Sequence, residues 1–234
     1  MNDLKGKGAI VTGGGSGIGF AVARSLVASG VDVIIASRRR SVLEDAAANL
    51  NALKAGRATP VVCDVRRKAD IVTLVSAARG ITPAIDILVN NSGLGVSSKI
   101  VDCTDEEWDL VMETNLRGAF LLTREVLPLM MARRSGFIIN IASQAALHGY
   151  ANAGPYCASK FGLLGFSEAL QAEVREFGIM VHALCPALVQ VPPPATAAEV
   201  NDGVLQAEDL ASTIMFLLTQ PGRIKYDTIG LYRF

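Results

Sequence analysis

The chain has 234 residues, half of them hydrophobic and 19% charged, with 22 basic side chains balanced by 22 acidic ones. That composition excludes a disordered or fibrous chain, and zero net charge gives no long-range pull toward phosphate backbones or anionic membranes. Aromatics at 6% offer little for base-stacking platforms, so neither nucleic acid nor a membrane is expected as a partner.

Residues 8–12 (GAIVT) read as a first strand leading into Gly13, Gly14, Gly15, Gly17 and Gly19. An apolar helical pattern over 18–26 follows and stops at Gly30. A second strand is expected over 31–36, then a helix opened by Ser41, whose distance to Glu44 is that of a capping box. A third strand over 60–63 precedes a mixed segment to Gly80, and a fourth over 85–89 runs into Asn90, Asn91, Ser92 and Gly93. Thr104 and Glu107 form a second capping box, opening one long helix to about Met131. A fifth strand over 137–141, a helix over 156–177 and a sixth strand over 180–185 come next. A break at Pro192, Pro193 and Pro194, a helix over 207–218 and a strand over 228–232 complete the series.

Strands that alternate with helices and are apolar on both faces predict an α/β, Rossmann-type fold. Its doubly wound, seven-stranded parallel sheet would carry helices on both faces. One domain is expected across 1–234, a usual length for this class. The helix over 156–177 is apolar nearly all round, through Phe161, Leu163, Leu164, Phe166, Ala169 and Leu170. One flank should face the sheet, and the other a second subunit in a homodimer or homotetramer, or else the chain's own loops. Cys63, Cys103, Cys157 and Cys185 lack paired spacing, and His148 and His182 are isolated, so neither a disulfide framework nor a metal site is expected. The N-terminal apolar stretch is short for a signal peptide and no run has the length of a membrane span, which reads as cytoplasmic.

Glycines between a first strand and its helix let backbone N–H groups approach a pyrophosphate. The spacing Gly13-x-x-x-Gly17-x-Gly19 departs from G-x-G-x-x-G, and a plain tight turn would also use glycine. Its place near the N-terminus, between strand and helix, favours a nucleotide. After the second strand, Ser37 is followed by Arg38, Arg39 and Arg40. An acid there would bond a ribose 2′-hydroxyl, whereas guanidinium fits a 2′-phosphate. A solvated cluster is the alternative, but cations oppose the dipole at a helix start unless an anion is near. NADP(H) is therefore favoured over NAD(H).

Tyr156 and Lys160 lie four residues apart, one helical turn, on a shared face. Lys160, the helix N-terminus and a cationic nicotinamide would favour the phenolate of a group whose ordinary pKa is about 10. Tyr156 could then act as proton donor or acceptor. Chance produces many such pairs, and this one gains weight from its company. Ser143 follows the fifth strand, Asn91 follows the fourth, and Asn115 sits mid-helix, where an amide competes for backbone bonds.

Jointly, residues 12–19, Asp64-Val65, residues 90–93, Asn115, Ser143, Tyr156-x-x-x-Lys160 and Pro186 resemble the short-chain dehydrogenase/reductase family over essentially the whole chain. The resemblance implies a cofactor site with Gly13, Gly15, Ser16, Gly17, Ile18 and Gly19 at the glycine turn. Ser37, Arg38 and Arg39 would face the phosphate, Asp64 and Val65 the adenine, and Asn91 and Gly93 the ribose region. Pro186 and Val189 would lie beside the nicotinamide. It further implies Tyr156 as acid/base, Lys160 lowering its pKa and binding the nicotinamide ribose, Ser143 bonding the substrate oxygen, and Asn115 holding a water in a proton relay. Leu94, Gln144 and Tyr150, with His148 and Asn152, are expected on the substrate side, while Trp108, Cys157 and His182 read as packing residues.

Two positions depart from the family pattern. Ala187 replaces the usual glycine after Pro186 and closes off positive φ. Val191 stands where a threonine often bonds the carboxamide. The segment 192–206 is also brief for a lid, so an open cleft suited to bulky or carrier-bound carbonyls is expected. The implied activity is hydride transfer between NADP(H) and a ketone or aldehyde, with 3-oxoacyl thioester reduction as one subtype. A hydroxy-acid dehydrogenase and an inactive, NADP-binding regulatory member are the alternatives.

Overall fold

The computed structural model describes residues 3–191, 200–201, 203–221, 224, 226 and 228–233. Seven parallel strands make one sheet: β1 (Gly8–Thr12), β2 (Asp32–Ser37), β3 (Ala58–Val62), β4 (Ile87–Asn90), β5 (Gly136–Ile141), β6 (Ile179–Pro186) and β7 (Thr228–Leu231). Their order is β3-β2-β1-β4-β5-β6-β7, and the register pairs Ile10 with both Ile34 and Leu88. Alternate side chains point to opposite faces. Val11, Ile35, Val89 and Ile139 therefore pack on one side against α1 (Gly17–Ala28), α2 (Arg40–Asn51) and α7 (Ala207–Thr219). Ile10, Ile34, Leu88 and Ile138 pack on the other against α3 (Lys68–Ile81), α5 (Gly118–Arg133) and α6 (Gly154–Val174). Each large aliphatic side chain sealed this way contributes about 1.5–3 kcal/mol relative to exposure. This is the doubly wound α/β architecture expected from the strand–helix alternation.

Two helix expectations need correction. α2 starts at Arg40 with Arg39 as its N-cap and no side-chain cap, so Ser41 falls inside the first turn. Glu44 instead reaches Arg40, 3.7 Å away. The capping box at Thr104 does form and opens α4 (Asp105–Met112). The expected single helix to Met131 is interrupted, however, by a π-helical turn at Glu113–Arg117 before α5 begins. Such an extra residue in a helix turn is uncommon and often marks a functional site; here Asn115 is at its centre.

α6 begins at Gly154, two residues before Tyr156, with Pro155 in its first turn, where a missing N–H costs nothing. Its outer flank is left open by the chain's own loops: Phe161 is 46% exposed and Phe120 of α5 39%. Trp108, expected to pack within the chain or at a subunit contact, is 43% exposed in the single chain. The proline break and the lid residues 192–199 lie outside the described residues. The returning end of that segment pairs with the chain after β6, through Gln190 N to Leu205 O at 2.8 Å and Leu205 N to Leu188 O at 3.0 Å. No described helix is long and apolar enough to cross a membrane.

Candidate active site

The site lies at the carboxyl ends of β1 and β4, where the strand order reverses and a parallel sheet leaves a crevice. Thr12 ties the two strand ends together. Its Oγ1 donates to Val89 O at 3.3 Å and accepts from the backbone N–H of Asn91 and Ser92, each at 3.0 Å. The Asn91 amide donates to Thr12 O at 2.9 Å. Gly13 adopts φ +66°, and a Cβ there would lie 2.6 Å from the Asn91 amide nitrogen, so the turn admits only glycine.

A cavity of about 620 Å³ opens beyond this turn. Gly13, Gly15, Ser16, Gly17 and Ile18 form its floor. Ser37, Arg38, Arg39, Asp64 and Val65 also line it, as do Asn91 and Gly93, which the adjoining cavity shares. Gly19 does not line the cavity. A Cβ on it would meet Gly13 O at 2.4 Å, so its role is to let α1 press against the turn. Two hydroxyls fit the cavity to a polar, nucleotide-like guest. Ser37 Oγ and Thr114 Oγ1 are buried without a hydrogen-bond partner in the protein, and both line it. A buried hydroxyl left unbonded costs about 1–3 kcal/mol, which a ligand's oxygens or nitrogens would recover. Thr114, Val42 and Cys63 were not anticipated; for Thr114 the available signal was a second uncharged polar residue directly beside Asn115.

A second cavity, about 650 Å³, continues from the first and shares Ile18, Asn91, Gly93, Leu94 and Val191 with it. Ser143, Gln144, Tyr150, Tyr156 and Lys160 line it together with Leu94, Pro186 and Val189. His148 and Asn152 do not, and both side chains are exposed. The remaining wall is apolar, from Val96, Ala145, Leu188 and Val191. Ala187 keeps an ordinary negative φ and donates its N–H to Leu231 O at 2.8 Å, fixing this edge to β7.

Ser143 caps the short 3₁₀ turn Gln144–Ala146, its Oγ accepting from Ala145 N at 3.1 Å, and its hydroxyl lies near enough to the Tyr156 phenol to favour the phenolate. Within the protein alone the phenol is pushed above its ordinary pKa, because burial outweighs the opposing hydrogen bond from Ser143. That differs from the expected lowering by Lys160. Lys160 Nζ sits 5.7 Å from the Tyr156 ring centre and donates to Ile141 O at 2.8 Å. Full burial pushes its own amine down from 10.5 to about 8.

Asn115 is 1% exposed and does not face either cavity directly. Its Oδ1 accepts from Leu94 N at 2.9 Å, while Nδ2 donates to Leu94 O at 2.8 Å and to Ser159 Oγ at 3.0 Å. The amide's two donors are thus spent on the protein, and the side chain clamps the Leu94 backbone.

Residues 7–201 match the family model described as short chain dehydrogenase. A candidate ketoacyl reductase of the monensin polyketide synthase from Streptomyces virginiae is 41% identical over 89% of this chain and 79% of its own length. An uncharacterized oxidoreductase of Staphylococcus aureus (strain MRSA252) is 31% identical over 98% of both chains. Among solved structures, an actinorhodin polyketide ketoreductase variant crystallised with NADPH superposes with a TM-score of 0.89 at 31% identity, covering 100% of this chain and 98% of the other. Levodione reductase superposes with a TM-score of 0.88 at 28% identity, covering 97% and 96%. With the glycine turn, the Ser143–Tyr156–Lys160 cleft and a match across most of its length, the chain belongs to the short-chain dehydrogenase/reductase family.

Proposed function

We propose that the protein is an NADP(H)-dependent carbonyl reductase converting a ketone or aldehyde into an alcohol, with residues 1–234 acting as one catalytic domain. The observation that carries this reading is the convergence of Ser143, Tyr156 and Lys160 in a cleft continuous with a glycine-floored cavity that Arg38 and Arg39 also line. A dihydronicotinamide held there would supply the hydride to the carbonyl carbon. Ser143 hydrogen-bonds the carbonyl oxygen and aligns it with the phenol. Tyr156 donates its proton to that oxygen as negative charge develops. Burial keeps the phenol protonated at neutral pH, the state a donor needs for reduction. Lys160, cationic below about pH 8, favours the phenolate that remains.

The relatives named as ketoacyl and levodione reductases support a ketone substrate, and the apolar wall of Leu94, Val96, Leu188 and Val191 suits an uncharged one. A 3-oxoacyl thioester, free or carrier-bound, fits both better than a hydroxy acid. The exposed Phe120 and Phe161 flank supports a homodimer or homotetramer, and free cysteines at all four positions suit a reducing cytoplasm.

The test compares wild type with Tyr156→Phe over a panel of ketones with NADPH. Wild type should turn over, while the variant binds NADPH normally and loses at least about 10²-fold in rate. A wild type that binds NADPH yet consumes none with any ketone would favour the regulatory alternative.

A further inference from the structure

Behind the adenine wall of the nucleotide cavity lies an ion pair that the proposed chemistry does not use. Asp64 and Arg38 both line the cavity, and the charge of Arg38 reaches the Asp64 carboxylate. That carboxylate is gripped by Arg66, whose Nε lies 3.0 and 3.1 Å from its two oxygens and whose Nη2 lies 2.6 Å from Oδ2. The Arg66 backbone N–H adds a fourth bond to Oδ1 at 3.1 Å. Arg66 is itself anchored, its carbonyl accepting from Arg117 Nη1 at 3.0 Å, at the end of the π-turn.

We infer that Arg66 determines cofactor specificity by neutralising Asp64, which leaves Arg38 free to receive the 2′-phosphate of NADP(H). The inference rests on the NADP(H) reading above and adds a residue outside the cavity to it. A carboxylate that lines the same cavity competes with a phosphate for the guanidinium. With both oxygens and the full charge taken up by Arg66, the Asp64–Arg66 unit is neutral, and Arg38 and Arg39 present their charge undivided to the phosphate. NADH carries no 2′-phosphate, so its binding does not depend on that competition. Arg66 is a positioning residue, because it acts through Asp64 and Arg38 rather than by touching the cofactor.

The readout is the ratio of NADPH to NADH dissociation constants, measured by nicotinamide fluorescence on wild type, Arg66→Met and the double variant Asp64→Asn/Arg66→Met. Arg66→Met should reduce the preference for NADPH about fivefold, the upper size of one solvent-exposed charge-pair interaction. The double variant lacks the competing charge and should regain a ratio within about twofold of wild type, even if both affinities fall. It also keeps the experiment informative should Arg66→Met alone fold poorly. Equal losses for both cofactors in Arg66→Met, or a double variant that keeps the reduced ratio, overturn the inference alone. A wild type that binds NADH as tightly as NADPH overturns the cofactor reading and this inference with it.

Discussion

Replacing Lys160 with methionine should make the fold more stable at neutral pH while removing activity. Lys160 is buried, and its amine is pushed from 10.5 down to about 8. That gap corresponds to about 3 kcal/mol at about 1.4 kcal/mol per tenfold. Below pH 8 the amine is protonated in both folded and unfolded chains, so the folded state bears the whole penalty. Between about pH 8 and 10.5 the unfolded chain binds more protons than the folded one, so stability rises with pH. Above that window both states are neutral and the penalty has gone. Methionine keeps the unbranched stem without the charge, but it leaves Ile141 O without its 2.8 Å donor, at a cost of about 1 kcal/mol. The net is a gain of about 2 kcal/mol at pH 7 that turns into a loss of about 1 kcal/mol above pH 10.5. Urea unfolding of both proteins without cofactor, from pH 7 to 10.5 at one protein concentration, reads this directly. Groups not coupled to Lys160, such as Cys63 with its thiol pushed up to about 12, titrate in both proteins and cancel in the difference, whereas Cys185, whose thiol the Lys160 charge draws down, rises further in the variant. A difference that stays flat with pH, or that favours wild type at pH 7, refutes the reasoning.

Three further outcomes follow from individual contacts. Arg38→Ala should weaken NADPH far more than NADH in a direct binding titration; equal losses remove Arg38 from the phosphate. Thr114→Val replaces an unpartnered cavity hydroxyl and should weaken NADPH and NADH alike by about three- to tenfold, one neutral hydrogen bond, whereas unchanged affinity for both means that the hydroxyl meets no cofactor atom. Ser159→Ala strips a partner from the Asn115 amide and should lower kcat about tenfold, the cost of an unsatisfied buried donor, with the NADPH dissociation constant within twofold; a parallel loss in binding would mark a purely structural role.

Much of the sheet was legible because its strands are buried on both faces and read as uninterrupted apolar runs such as GAIVT and DVIIAS. The glycine turn and the Tyr156–Lys160 pair were legible because both depend on short spacings. What escaped depends on partners distant in sequence. The π-turn at Glu113–Arg117 has no local signature, since Asn115 is held by Leu94, 21 residues away, and Ser159, 44 away. The start of α2 was misplaced because Ser41 and Glu44 satisfy a capping pattern just as well from within a first turn. Arg66 escaped because an arginine two residues after an aspartate looks like any solvated charge until the side chains are placed.

The site's geometry is held by a chain of side-chain bonds to backbone that no secondary structure would supply. The segment from Asn91 to Leu94 runs between both cavities and belongs to no strand or helix. Thr12 holds its first two N–H groups, and Asn115 holds both polar groups of Leu94. Ser159 Oγ accepts the remaining Asn115 N–H and donates a hydrogen bond to the Tyr156 backbone carbonyl at 2.8 Å. The chain of contacts thus starts at the strand that carries the nucleotide turn and ends on the helix that carries the phenol and the amine. Breaking any link leaves a buried backbone or amide group unpaired, at about 1–3 kcal/mol, so the links support one another. Hydride transfer needs the reacting carbon and the proton donor aligned to within fractions of an ångström. A polar relay of short, directional bonds sets that alignment where apolar packing alone, being non-directional, would not.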